Sequence, residues 1–105
     1  MTALIYCPFP DAECALAVGR VLLEEKLVAC INVGGAIRSL FAWQGEIEEA
    51  SEVPAVLKTD DALLPRAIER LEDLHPYETP AILGWRCDAV GEATQLWLGT
   101  LVPAE

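Results

Sequence analysis

Two apolar runs, 3–9 (ALIYCPF) and 27–33 (LVACINV), flank one amphipathic segment, and no other feature limits the fold as strongly. Runs of this length that are apolar on consecutive residues suit strands buried on both faces. Between them, Asp11 offers an N-cap oxygen and Glu13 an acid for the first turn. Ala15, Val18 and Leu22 then form one helical face, widened by Gly19 and Val21, to an end near Lys26. Gly19 lowers helix propensity in mid-segment and lets the helix come close to a sheet. Pro8 and Pro10 end the first strand, and the second reads as central in its sheet.

The second half repeats the pattern with an insertion. Ile37 to Trp43 alternates in part, Gln44-Gly45 is a two-residue hairpin turn, and 46–58 continues as a return strand. Pro54 implies a bulge or an edge position there. This hairpin exceeds what one small sheet needs, so part of it should project. Asp60 or Asp61 caps a second helix with Pro65 in its first turns, and Leu64, Ala67, Ile68 and Leu71 give an i, i+3, i+4, i+7 stripe. His75-Pro76 ends that helix. Residues 81–87 read as a strand, and a short terminal helix from Gly91 carries Leu96, Trp97 and Leu101. The order predicts one α+β domain over residues 1–105, a ferredoxin-like split βαβ sandwich. Its helices would cover one sheet face and leave the other apolar, which predicts self-association through that face, the sheet edges and the hairpin.

Composition narrows the partners. The chain of 105 residues is 53% hydrophobic, which supports an apolar interface, and its 17 acids against 7 Lys and Arg give a net charge of −10. Such a surface repels phosphate backbones, so no nucleic-acid partner is expected. No apolar run reaches the ~18 residues of a membrane-spanning helix. The opening residues lack a basic n-region and do not read as a signal peptide. Cys7, Cys14, Cys30 and Cys87 form neither a CxxC pair nor zinc-finger spacing. Free thiols in the cytoplasm are the expectation.

No phosphate-binding glycine loop, HExxH motif or Ser-His-Asp set is present, so no enzymatic function and no required cofactor are expected. His75 is either a C-terminal capping residue or a ligand or polar anchor in a cleft. Cys7 is either a buried packing thiol or a soft-metal ligand, whose thiolate the helix starting near Asp11 would favour. Cys30 reads as core and Cys14 as packing or surface. Trp43 and Trp85 read as core or interface rings. Glu46, Glu48, Glu49 and Glu52 are either a solvated hairpin tip or a hard-cation site. Lys58 and Glu78, both placed at element ends, are candidates for a polar pair in a cleft.

Several segments match one family. Residues 26–32 (KLVACIN) resemble the KLAACVN run of the CutA family of divalent-cation tolerance proteins. Residues 39–46 (SLFAWQGE) resemble its SIYxWxGK segment, and Glu52-Val53 with Leu57-Lys58-Thr59 resemble its EV…IKT strand. Residues 75–80 (HPYETP) resemble HPYExP, the most specific signature. The resemblance covers about residues 3 to 98. It implies a ferredoxin-like protomer in a tight homotrimer, with tolerance to divalent cations and with copper or another divalent cation as ligand. It makes Cys7 and His75 the candidate metal ligands. It also implies a cleft between subunits like that of trimeric PII-type signalling proteins, lined by Lys58, Tyr77 and Glu78 and open to a small molecule, an anion or a partner protein. The chain departs from the family at Ala81, where a glutamate is usual, and at Leu74, where some members carry a second histidine. Both changes remove potential ligands. Gly34 replaces the proline of a PG turn, and Gln95 and Leu98 replace a Tyr and a Trp, with Trp97 one position away.

Overall fold

The computed structural model describes residues 1–103. Its elements run β1 (Thr2–Phe9), α1 (Ala12–Glu24), β2 (Cys30–Val33), β3 (Ile37–Trp43), β4 (Glu46–Asp60), α2 (Leu64–Leu74), β5 (Leu83–Arg86) and α3 (Glu92–Gly99). The strand order is β2-β4-β1-β5, with β3 paired to β4 alone, and every pairing is antiparallel. This is the split βαβ sheet with an extended hairpin.

The period of two along a strand sorts its residues onto two faces. Ile5, Cys7 and Phe9 of β1 and Ala55 and Leu57 of β4 point to the helices and join Ala15, Val18, Leu22, Ala67 and Leu71 in one buried cluster. Gly19 sits where a Cβ would come within 2.7 Å of Ile31 Cγ2, so its lack of a side chain sets the distance of α1 from β2. Asp11 caps α1, accepting from the Cys14 N–H at 2.7 Å. The helix stops in a Schellman turn: Leu27 N–H reaches Leu22 O at 3.0 Å and Lys26 N–H reaches Leu23 O at 3.1 Å. Lys26 occupies the left-handed position, at φ 59°.

The apolar run 27–33 therefore divides between two roles. Leu27 and Val28 fill the helix-side core before the strand begins. The strand itself has only four residues and lies at the sheet edge, not at its centre. Cys30 is half-buried on the face away from the main core. Lys58, its register partner, is third from the C-terminal end of β4 and shares that face.

Pro8 lies within β1 and Pro54 within an unbroken central β4, directly opposite one another. Both carbonyls point outward. Pro54 O accepts from Gly34 N–H at 2.9 Å, and Pro8 O meets His75 Nε2 at 2.9 Å. The two prolines thus form a non-hydrogen-bonded pair, the one place in an antiparallel ladder where neither residue needs an N–H toward the other. Neither a bulge nor an edge is required.

One residue past this pair, after Phe9↔Val53, β4 leaves the central sheet and from Glu52 toward the turn pairs only with β3. The turn has positive φ at both Gln44 (50°) and Gly45 (81°), the I′ geometry that matches strand twist. The arm gives the chain its elongated extents, 49 × 26 × 24 Å.

Before α2, Asp60 accepts from Ala62 N–H at 2.9 Å, but the N-cap position is Leu63, with no side-chain cap. In α3 the buried residue is Leu98, while Leu96 and Trp97 are exposed. Thr2 explains its position: the Thr2 hydroxyl and N–H both donate to Gln95 Oε1, so α3 caps one end of the face opposite α1 and α2.

Candidate functional site

The loop after α2 carries His75, and the helix end delivers its ring to β1. Nε2 lies 2.9 Å from Pro8 O, a carbonyl just beyond the reach of β5, whose pairing with β1 ends at Tyr6. Since a carbonyl only accepts, Nε2 carries the proton. Nδ1 then accepts from Tyr77 N–H at 3.1 Å. The ring is buried and stacks on Phe9 with centroids 4.7 Å apart. His75 is therefore a neutral, doubly bonded anchor between the loop and β1, and its side chain does not cap its own helix.

That anchor aims Tyr77 at the hairpin. Tyr77 OH donates to Glu52 Oε2 at 3.0 Å. Burial first, then this hydrogen bond and the Glu52 charge, pushes the Tyr77 phenol up to about 12. The phenol stays a donor at neutral pH. Glu52 itself is only 9% exposed.

The bond spans the foot of a cavity of about 540 Å³ between the hairpin and the loop. One hairpin face forms its wall. In the register Ser39↔Ala50, Phe41↔Glu48 and Ile37↔Glu52, alternate residues share that face, and Trp43 continues it. Tyr77, Glu78 and Ala81 stand opposite. The other hairpin face holds Arg38, bonded to both Glu49 oxygens at 2.9 and 2.8 Å, and the bare side chains of Leu40 (73% exposed) and Ile47 (78%).

The predicted residues are thus separated into groups. Tyr77, Glu78 and Trp43 meet in the cavity. Lys58 does not line it; the residue sits on the open sheet face opposite Leu4 and Cys30. Trp85 is 46% exposed on that same open face, also opposite Leu4, so in a single chain it is not core. Cys7 is fully buried, and burial, with lesser contributions from Glu52 and Cys14, pushes its thiol up to about 12. The helix N-terminus does not outweigh that burial. Cys7 and His75 share an acceptor, with Cys7 Sγ 3.6 Å from Pro8 O. As placed, a protonated buried thiol and an imidazole with both nitrogens engaged do not present a metal-ligand pair. Among the described residues no cluster of three or more His, Cys, Asp or Glu side chains is arranged to hold a metal ion.

Glu52 is the residue that sequence reasoning left within the acidic group at the hairpin tip, read either as solvated or as a hard-cation site. Its signal was available: two-residue alternation from a Gln44-Gly45 turn puts Phe41, Glu48 and Glu52 on one face. Its partner Tyr77, 25 residues away, could not be found that way.

Comparison with known proteins agrees with this architecture. The CutA1 divalent ion tolerance protein family matches residues 3–100. The divalent-cation tolerance protein CutA of Pyrococcus horikoshii is 43% identical over 95 residues, 90% of this chain and 92% of that protein. The Thermotoga maritima protein of the same name is also 43% identical over 95 residues, covering 90% and 93%. The crystal structure of CutA from Xylella fastidiosa superposes with a TM-score of 0.91 at 31% identity, covering 97% of this chain and 98% of that one. The Archaeoglobus fulgidus structure, described as a periplasmic divalent cation tolerance protein, gives 0.90 at 31%, covering 96% and 98%. With the family match over residues 3–100, relatives at 43% identity and the shared fold, the chain belongs to the CutA1 family of divalent ion tolerance proteins.

Proposed function

We propose that this member of the family is a non-catalytic binding protein, assembled as a homotrimer, that acts through the cleft between its hairpin and its His75–Ala81 loop. The observation that carries the reading is the cleft itself. Three separate stretches of chain build it, and the Pro8–His75–Tyr77–Glu52 series of contacts holds its foot. A volume of about 540 Å³ suits a small molecule and is larger than a single ion needs. The open sheet face, with half-buried Leu4 and Tyr6 and exposed Leu83 and Trp85, supports the trimer. Four unpaired thiols suit the reducing cytoplasm.

Direct copper binding by Cys7 and His75 is the second reading, favoured by their shared contact with Pro8 O. It requires both side chains to give up their present partners. Anaerobic Cu(I) titration against a competing chelator, on wild type, Cys7→Ser and His75→Ala, separates the two. Indifference to both substitutions supports the cleft reading. Tight binding lost in both variants, with the assembly intact, overturns it in favour of copper. A monomeric mass by light scattering at micromolar concentration would overturn the trimer.

A further inference from the structure

The charge inside the cleft points to a more specific ligand. Its lining includes three carboxylates, Glu48, Glu52 and Glu78, and three aromatic rings, Phe41, Trp43 and Tyr77, with no Lys, Arg or His among the described residues of the single chain. The ion pairs among the described residues join the N-terminus to Asp60 and Asp61, Arg38 to Glu49, Arg70 to Glu25 and Arg86 to Asp61, and none reaches these three carboxylates. Glu52 is the decisive member. It is more than nine-tenths buried, and its side-chain hydrogen bond comes from a neutral phenol. A carboxylate taken out of water without a counter-charge is costly, and an arriving cation offsets that cost.

Size and lining select the kind of cation. A hard metal ion wants six or more converging oxygens, and these carboxylates do not converge. Aromatic faces attract weakly hydrated organic cations through their quadrupoles. The apolar body of such a cation would lie against Phe41 and Trp43, where a metal ion would have nothing to bury. An anion would meet three negative groups.

We infer that the cleft is a site for an organic ammonium ion, with the charged nitrogen at Glu52 and the hydrocarbon portion between Phe41, Trp43 and Tyr77. This rests on the cleft reading above and specifies its ligand class.

The test uses three probes of matched shape, hexylammonium, hexanol and hexanoate, titrated at physiological ionic strength into the assembled wild-type protein. Binding is followed by calorimetry and by Trp43 fluorescence, with Trp43→Phe to assign the signal. Saturable hexylammonium binding at least tenfold tighter than that of either other probe is expected. Glu52→Gln, which still accepts from Tyr77, should weaken it at least tenfold. Glu49→Gln removes the same net charge from the opposite hairpin face and should leave it unchanged. Equal binding of hexanol, or equal losses in Glu49→Gln and Glu52→Gln, overturns the inference while leaving a small-molecule cleft in place. Failure of all three probes to bind overturns both the inference and the cleft reading.

Discussion

The two faces of the central sheet are written by alternate residues of the same strands, yet they end in opposite states. On the helix side, Ala3, Ile5, Cys7 and Phe9 of β1 are fully buried, as is Leu57 of β4. On the other side, their neighbours Leu4, Tyr6, Pro8, Val56 and Lys58 remain partly open, and Leu83 and Trp85 of β5 are exposed. Strand propensity cannot produce this difference, because it is shared. The helices produce it: α1 and α2 saturate one face, and α3 reaches only the Thr2 end of the other. One face accounts for the fold of the chain, and the other stays open in the single chain.

Four experiments bear on this contrast, beginning with the most disruptive. Leu57→Ala on the closed face should cost about 2–5 kcal/mol by leaving a cavity, read as a lower urea midpoint at fixed protein concentration. A loss below 1 kcal/mol would mean the closed face is not the stabilising one. Leu4→Asp on the open face should leave the far-UV circular dichroism unchanged but weaken self-association roughly 100-fold, because an apolar interface would bury an unpaired charge. Sedimentation over a concentration series reads it, and an unaltered mass would show that the open face is not the interface.

A third experiment concerns pH. Cys7 and Tyr77 are weak acids held neutral by burial, each pushed up to about 12 from ordinary values of 9.0 and 10.0. The unfolded chain releases these protons first as pH rises. Their contribution is therefore complete below pH 9 and is lost progressively toward pH 12. The urea midpoint should fall across that window, and Cys7→Ala with Tyr77→Phe should flatten the fall. The smallest effect belongs to Lys26→Gly. Relieving a left-handed backbone position should stabilise by about 1 kcal/mol, with no change in assembly, since Lys26 lies on neither face.

The same contrast explains what could be read in advance. The element order, the turn at Gln44-Gly45, the Asp11 cap and the stripe of α2 all rest on local chemistry, and they match the structure. In the apolar runs the period of two is invisible, because both faces carry apolar residues. Cys30 therefore read as core and Trp85 as a core or interface ring; both lie on the open face, and β2 read as central when it is an edge. At the site, HPYETP marked the loop but not its connections. His75 binds a backbone carbonyl 67 residues away, and a carbonyl has no sequence signature. Lys58 lies on the open face of β4, and nothing local in the run 53–59 says which of its residues face the helices.

The facing prolines, Pro8 and Pro54, matter beyond the hydrogen bonds they avoid. They stand where the hairpin leaves the body, and each ring locks a φ angle there. The exit is consequently a stiff shoulder and not a swivel. With Gly34 and His75 clamping the outward carbonyls, the reach and heading of the hairpin are set within the isolated chain. A partner docking on such an arm meets a shape already in place. Little ordering entropy is then lost on contact, and more of the contact energy remains as affinity.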